Sequence, residues 1–368
     1  MDARRYVGWA CGVALAGFLA AGCSPFDYYA QAAHGQLSLL SDARPIDDWL
    51  ADPAISARLR TKLIKVKQIR RFAASELGLP DNQSYTSYAD LKRPFVLWNV
   101  VATEELSLEP RRWCFPVAGC VTYRGYYSKA DAQSYASDLR HDGLDVQVAG
   151  VPAYSTLGWF NDPVLSTFIQ YPDGELARLV FHELSHQVVY VKDDTQFNES
   201  FATAVEEAGV ERWLLAQGEP RLRQTYVEYE TRKQDFLNLL IKYRKALEQN
   251  YLRPVSAGDK RLRKVEIFRE LKDEYQILKM SWGGYPGYDR WFAEPLTNAH
   301  LASVATYHDF VPAFQVLLTQ QKSLPRFYAA VRRLAALDKS ARHAQLAILG
   351  QRARPVPQAI SVVLSQAK

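Results

Sequence analysis

The sequence has no strong excess of one charge, no run of like-charged residues, no internal repeat and no low-complexity linker. Its 45 Lys and Arg against 40 Asp and Glu give a formal net charge of +5, spread along helical segments that also carry acids. This balance disfavours an extended basic surface, so we expect no nucleic-acid partner. With 368 residues and 48% hydrophobic content, the chain can instead bury a sizeable core.

The N-terminal residues predict export. Arg4 and Arg5 precede an apolar stretch that ends in small residues before Cys23, the pattern of a signal peptide over residues 1–22. The segment LAAGC, which ends at Cys23, resembles a bacterial lipobox, in which the peptide is cut before Cys and that Cys is lipidated. By resemblance to Gram-negative sorting rules, Ser24 implies a lipid anchor at the periplasmic face of the outer membrane. The alternative is an ordinary secretory signal with a free or paired Cys23.

Cysteine is scarce, with only four residues in the chain. Cys11 leaves with the signal peptide and Cys23 is expected to carry lipid. Cys114 and Cys120 then remain six residues apart, and in an oxidising compartment we expect them to close a structural disulfide. No second ligand pair lies nearby, which disfavours a zinc site at these two cysteines.

The segment HELSH at residues 182–186 is the strongest chemical signal in the chain. Residues four apart share one face of a helix, so His182 and His186 can bind one metal ion while Glu183 projects beside it as a base. We expect Asp173 to cap this helix, whose many apolar residues predict burial. Buried polar groups need a metal or hydrogen-bonded partners. The alternative to a metal site is therefore a hydrogen-bonded core cluster.

A catalytic zinc site needs a third protein ligand, and Glu199 is our prediction. A turn containing Asp193 and Asp194, both expected to face solvent, ends the first helix. Asn198 is then expected to cap a second helix, with Glu199 in its first turn. The competing ligands, about two turns further along that helix, are Glu206 and Glu207.

HELSHQVVY followed by FNESFA resembles the gluzincin metallopeptidases, in which HExxH is completed by Glu in an Asn-Glu-x-x-Ala context. Residues from about Tyr154 to Ala208, with the later stretch from Asn298 to Phe314, resemble a bacterial family of putative aminopeptidases, often lipoproteins. The similarity spans most of the mature chain. It implies a Zn²⁺ site with Glu183 as the catalytic base and three ligands, His182, His186 and Glu199.

The resemblance leaves two roles to be assigned. Thr203 stands where the thermolysin-like pattern has Asp, so the sequence identifies no residue that orients the first histidine. Peptide hydrolysis also needs a donor to the oxyanion. Gluzincins often supply it from a Tyr or His downstream of the ligands, and here Tyr307 is our prediction, with His300 and His308 as alternatives. Ordinary packing would explain the same residues.

Helical spacing predicts an N-terminal layer over residues 28–77, broken at Pro45 and Pro53. A small mixed sheet is expected from strands at 94–102, 120–127 and 145–150, with a helix near 129–140. A further strand is expected within Tyr154–Tyr171, directly before the metal helix.

Two long helices, over residues 219–250 and 258–280, are expected to form an antiparallel hairpin. Its seam is predicted to contain Tyr226, Tyr229, Phe236, Leu240, Tyr243, Leu247, Leu262, Val265, Phe268, Leu271, Tyr275 and Leu278. The fold class is α+β, mainly helical, with a zincin-like catalytic core. The predicted divisions are 1–22 for the signal peptide, 23–92 for the helical layer, 93–330 for the metallopeptidase domain and 331–368 for the C-terminal helices and tail.

The ligand set predicts peptide hydrolysis by zinc-activated water, with Glu183 as proton acceptor. Three functions stay open: an aminopeptidase, which ranks first, an envelope endopeptidase, and a lipid-anchored scaffold whose zinc only joins two helices. An exopeptidase needs an acidic group to bind the free amine, and Asp162 and Glu175 are candidates. Asn161 and Asp162 are explained equally well by turn formation before Pro163. The expected partners are a peptide or protein substrate and the membrane; oligomeric state is not predicted.

Overall fold

The computed structural model describes residues 23–115, 119–154, 156, 158–302 and 310–352, and only the backbone of residues 23–27. Helices predominate and the strands are short, which confirms the prediction of a mainly helical α+β fold. The predicted signal peptide and the tail after Pro355 lie outside the described residues.

The N-terminal layer consists of helices α1 (Cys23–Ser41), α2 (Ile46–Ala51) and α3 (Ala57–Ser75). Pro45 is the residue before α2, and α2 ends shortly before Pro53, as the sequence predicts. Ser56 caps α3 by accepting a hydrogen bond from the backbone N–H of Leu59. Buried residues of α3 join the main core of the molecule.

Eight short strands are present in the described ranges: β1 (Arg44–Pro45), β2 (Ser87–Ala89), β3 (Leu97–Thr103), β4 (Trp113–Phe115), β5 (Gly119–Val121), β6 (Arg124–Tyr126), β7 (Asp145–Val151) and β8 (Val164–Leu165). The predicted strands at 94–102 and 145–150 pair as β3 and β7, but the sheet β6-β3-β7 is antiparallel, not mixed. The mixed sheet is β1-β2-β8. Helix α4 (Lys129–His141) contributes to the small core of the antiparallel sheet.

The prediction for residues 120–127 was wrong, because this segment is divided between two sheets. Strand β5 forms a hairpin with β4, and a disulfide joins Cys114 to Cys120 across it, whereas β6 pairs with β3. The expected strand within Tyr154–Tyr171 is reduced to the two residues of β8. Pro163 precedes β8 directly, and proline has no backbone N–H to donate to a ladder.

Helices α5 (Asp173–Ser185) and α6 (Thr195–Gln217) run through the main core. Both are buried over most of their length, as the apolar pattern predicts. They pack closely at Gly209, where an added Cβ would lie 2.8 Å from Leu77 and 3.0 Å from Phe181. The expected cap of α5 was wrong: Pro172 is the residue before the helix, and Asp173 lies in its first turn, 2.6 Å from the Nζ of Lys62.

The hairpin consists of α7 (Pro220–Leu252) and α8 (Ala257–Ser281), close to the predicted limits. Most of the predicted seam is buried between them, with Phe236, Leu240, Leu247, Phe268, Leu271 and Tyr275 among its members. Leu262 and Val265 were wrongly included, since they are 69% and 68% exposed. Leu262 lies nine residues before Leu271, which is about 2.5 turns and places the two on opposite sides of the helix.

The C-terminal part contains α9 (Asn298–Ala302), α10 (Val311–Gln321), α11 (Leu324–Ala335) and α12 (Lys339–Gln351). The predicted helix from Asn298 to Phe314 is thus described as α9 and the start of α10, with residues 303–309 outside the described part. Helices α10 to α12 add their apolar faces to the main core around α5 and α6. Within the described ranges, no helix combines the length and hydropathy that crossing a bilayer requires.

Candidate metal centre

Helices α5 and α6 bring three side chains to one point. His182 lies in the last turn of α5, His186 follows directly after its end, and Glu199 lies in the second turn of α6. Their ligand atoms all lie within 4.8 Å of one another. The Nε2 of His182 is 3.2 Å from both the Nε2 of His186 and the Oε2 of Glu199. This arrangement can hold a metal ion.

The turn between the two helices is fixed by side chains that differ from the predicted ones. The cap of α6 is Asp194, which accepts from the backbone N–H of Phe197, so Asn198 is not the cap. Asn198 instead hydrogen-bonds both the N–H and the carbonyl of Val191. Glu199 consequently lies one turn deeper in α6 than the sequence predicts.

Asp194 was also expected to face solvent, and it is buried. Its carboxylate accepts from the guanidinium of Arg342, with donors at 2.6 and 2.8 Å, and lies 2.9 Å from the Nε2 of His343. Burial alone would raise the pKa of Asp194, but the hydrogen bonds from His343 and Arg342 hold it below its usual value. Asp193 is exposed, as predicted.

Glu206 is the partner of the first histidine that the sequence left unidentified. Its Oε2 lies 2.8 Å from the Nδ1 of His182, on the other side of the ring from Glu199. Glu206 therefore orients His182 and does not join the three converging side chains. Glu207, the other competitor, is exposed and accepts from the Nε2 of Gln315.

We did not predict from the sequence that Glu206 orients His182, although the residue spacing allows it. Glu206 follows Glu199 by seven residues, so the two carboxylates lie on one face of α6, two turns apart. Arg178, which donates to Glu206, was missed as well. It precedes His182 by four residues and therefore lies on the same face of α5.

The charges of the protein set the protonation of the site. Burial, together with the charges of Glu199 and Asp162, raises the pKa of Glu183 to about 7, although His182 acts in the opposite direction. Burial would lower the pKa of His182, but the carboxylates of Glu206 and Glu199 raise it to about 10. The pKa of His186 falls to about 4 because of burial and the charge of His182.

Tyr85 is a further residue that the sequence analysis did not single out. It is 2% exposed, its φ is 62°, and its hydroxyl has no hydrogen-bond partner among the described residues. The turn that contains Tyr85 is held by buried Arg70, which donates to three carbonyls within residues 80–84. The side chains of Asn82 and Ser84 also hydrogen-bond to Gln187. Burial and the charge of Glu183 raise the pKa of Tyr85 well above its usual value. A bulky residue in this backbone region indicates strain at a special position.

The remaining candidates lie in different settings. Asp162 is 4% exposed and accepts from the backbone N–H of Thr156, while Asn161 is exposed. Glu175 is 1% exposed and bound to Arg178. His300 is buried with its Nδ1 on the backbone N–H of Thr297, and it does not belong to the converging group. Tyr307 and His308 lie outside the described residues.

A family model described as "Putative aminopeptidase" matches residues 27–346. The chain belongs to the putative aminopeptidase family. No curated protein and no solved structure matches it. Membership of the putative aminopeptidase family suggests a peptidase with peptide substrates, and the three converging side chains lie within the matched range.

Proposed function

We propose that this protein is a zinc-dependent peptidase of the cell envelope that acts as an aminopeptidase. The observation that carries the proposal is the convergence of His182, His186 and Glu199 beside Glu183. Two imidazoles and a carboxylate, next to a second glutamate, form the donor set of a catalytic zinc site. The family match supports the peptidase part of the proposal.

The spacing of the ligand atoms agrees with zinc. Two ligand atoms that lie 2.0–2.1 Å from a tetrahedral zinc ion are about 3.3 Å apart. The corresponding separations are 3.2 Å between the Nε2 atoms of the two histidines, 3.2 Å from His182 to the Oε2 of Glu199, and 3.7 Å from His186 to the other oxygen of Glu199, Oε1. The three side chains therefore need little movement to bind the ion.

The protein groups have separate tasks in the proposed reaction. When bound, zinc supplies a Lewis acid that polarises the substrate carbonyl and acidifies water. Glu183 accepts the proton of the attacking water and delivers it to the leaving amine nitrogen. Burial raises the pKa of Glu183, in the direction that proton transfer near neutral pH requires. With metal bound, His182 would be neutral, with its one proton on Nδ1 donated to Glu206 and its Nε2 free for the metal.

The number of protein ligands distinguishes a catalytic zinc site from a scaffold. A structural zinc site is closed by four protein ligands, whereas a catalytic one keeps a position for water or substrate. Within the described part of the chain, the converging group of His, Cys, Asp and Glu side chains has three members. The proposed oxyanion donor remains Tyr307.

The choice between exopeptidase and endopeptidase depends on the group that binds the free amine. Glu175 is not available to bind the amine, because it is buried and paired with Arg178. Asp162 is also buried, at 4% exposed, but its charge acts on the proposed base and helps to raise the pKa of Glu183. We therefore propose Asp162 as the acidic group for the amine of an N-terminal residue.

The test is cleavage profiling of the zinc-loaded protein on matched peptides with free and acetylated N-termini, followed by mass spectrometry. Glu183→Gln is the inactive variant, expected to lose turnover while it keeps zinc. Glu211→Gln, on an exposed position of α6, is the matched control and should retain full activity. Stepwise trimming of the free peptides alone is the result we expect.

Other outcomes would redirect the proposal. Internal cuts in both peptide sets would make the protein an endopeptidase. A fully active Glu183→Gln variant would refute the assignment of the base. Bound zinc with no cleavage by the wild-type protein would favour the scaffold.

We further propose that Cys23 is lipidated and anchors the protein at the periplasmic face of the outer membrane. The support is the lipobox-like sequence before this residue and Ser24 after it. Intact-mass measurement of the protein purified from membranes should show the mass of a diacylated or triacylated cysteine. A mature protein without added lipid mass would contradict the anchor and leave the peptidase proposal untouched.

A further inference from the structure

Arg178 lies among three carboxylates beside the proposed metal site. Its Nε donates to the Oε2 of Glu175 at 2.8 Å, and its Nη1 donates to both oxygens of Glu206 at 3.2 and 3.1 Å. Glu230 lies 3.9 Å away and also contacts Lys233. Arg178 thereby contacts acids on three different helices, α5, α6 and α7.

Two of these acids are almost fully enclosed. The side chains of Glu175 and Glu206 are 1% and 3% exposed, and that of Arg178 is 21% exposed. Carboxylates withdrawn from water in this way need a counter-charge and hydrogen-bond donors. Arg178 provides both, and its rigid, planar donor group defines where each carboxylate lies.

A continuous chain of contacts leads from Arg178 to the metal position. Arg178 holds both oxygens of Glu206, and one of these oxygens lies 2.8 Å from the Nδ1 of His182. The Nε2 of the same ring faces His186 and Glu199. Because a neutral imidazole has one N–H and one lone pair, an acceptor at Nδ1 directs the lone pair of Nε2 to the metal.

The second histidine lacks such support. The Nδ1 of His186 is buried and has no hydrogen-bond partner in the part of the chain that the structure describes. His182 is therefore the imidazole whose orientation is fixed by a hydrogen bond at Nδ1. A disturbance of the contacts of Arg178 should act on the metal through this one ligand.

We propose that Arg178 is a positioning residue of the metal centre, which fixes Glu206 against His182 and joins the first helix of the hairpin to the site through Glu230. The inference rests on the metal binding of the proposed function. The hairpin also packs against the first turn of α5, where an added Cβ on Gly174 would lie 2.9 Å from the ring of Tyr226. The hairpin is thereby part of the support of the metal site.

A buried ion pair with a purely structural role would lower stability without changing the metal. The two roles are separated by the zinc affinity of Arg178→Met, measured by competition with a chelating dye, and by the visible spectrum of the cobalt-substituted protein. Loss of a group that orients a metal ligand weakens binding by about 10- to 100-fold. Since Arg178 acts through another residue, we expect about 10-fold and altered cobalt bands.

The matched control is Arg232→Met on α7, because Arg232 also pairs with a glutamate, Glu228, but none of its contacts with described residues leads to His182. It should bind zinc as the wild type does. Arg178→Lys, which keeps the positive charge, should recover part of the affinity and serves as the test if Arg178→Met does not fold. Adding Arg178→Met to Glu206→Gln should weaken zinc binding little beyond Glu206→Gln alone.

Wild-type zinc affinity in folded Arg178→Met, or fully additive effects in the double variant, would overturn the inference. Either result would leave the proposed function intact, because the wild-type protein would still bind zinc. A wild-type protein that binds no zinc would instead refute the metal site itself.

Discussion

Replacing Asp194 tests how much its contacts stabilise the turn between the proposed metal ligands. The Asp194 side chain is 0% exposed, and its partner Arg342 on α12 is 4% exposed. Asp194 also caps α6 through the N–H of Phe197. Asp194→Asn keeps a good capping residue and removes the negative charge, whereas Asp194→Ala removes both.

The expected magnitudes follow from these contacts. Removing one partner of a buried ion pair costs about 3–5 kcal/mol because the other charge stays buried without compensation. Loss of a helix cap adds about 1 kcal/mol. We therefore expect the free energy of unfolding to fall by about 3–5 kcal/mol in Asp194→Asn and by about 4–6 kcal/mol in Asp194→Ala.

The effect of Asp194→Asn should depend on pH in a defined direction. The pKa of Asp194 is lower in the folded protein than its usual value. Its charge therefore stabilises the fold above the unfolded pKa of about 3.9, and this contribution is lost as pH falls through the folded pKa. The difference between wild type and Asp194→Asn should shrink as pH falls below about 4.

Urea denaturation followed by far-ultraviolet circular dichroism, with a chelator present, measures these differences without a contribution from metal binding. Three proteins are compared across the pH series: wild type, Asp194→Asn and Asp194→Ala. If Asp194→Asn is within about 1 kcal/mol of wild type at pH 7, or if the difference grows as pH falls below about 4, the assignment of a stabilising buried ion pair is wrong.

Tyr85→Phe should raise the free energy of unfolding by about 1 kcal/mol, because it removes a buried hydroxyl that has no hydrogen-bond partner among the described residues. If the hydroxyl contacts substrate, turnover of Tyr85→Phe should fall. Unchanged turnover would show that the hydroxyl has no role in catalysis. Zinc at about 1,000 times its Kd should stabilise the wild type by about 4 kcal/mol; a similar gain in His186→Ala would contradict the ligand assignment. Gly150→Ala should destabilise by about 1–3 kcal/mol, since its Cβ would lie 2.3 Å from the ring of Phe95. Gly258→Ala, with no close neighbour, is the control and should be neutral or stabilising in thermal unfolding.

The sequence predicts the helices that carry the site well, because their apolar residues recur over long segments. The breaks at Pro45 and Pro53 and the limits of the hairpin follow from local signals that tertiary contacts do not override. The histidines of the metal motif also follow from local spacing. Four residues on one helix determine their separation without help from the rest of the fold.

The wrong predictions concern residues whose environment depends on contacts with distant parts of the chain. Both Asp194 and Asn198 are suitable caps, and Arg342, which lies 148 residues beyond Asp194, binds the carboxylate of Asp194. The role of Glu206 depends on the approach of α5 to α6, which spacing within one helix does not reveal. The exposure of Leu262 shows the opposite case, an apolar residue whose helix face finds no partner within the described chain.

The contact between Asp194 and α12 has a consequence for the order of assembly. The ribosome delivers the chain from its N-terminus, so both histidines and Glu199 emerge well before Arg342 and His343. The turn between the proposed ligands is stabilised by Arg342 and His343 only after α12, the last described helix, has been synthesised. A nascent or C-terminally truncated chain therefore has all three converging side chains but lacks the contacts that stabilise their turn, and we expect the proposed metal site to form fully only in the completed protein.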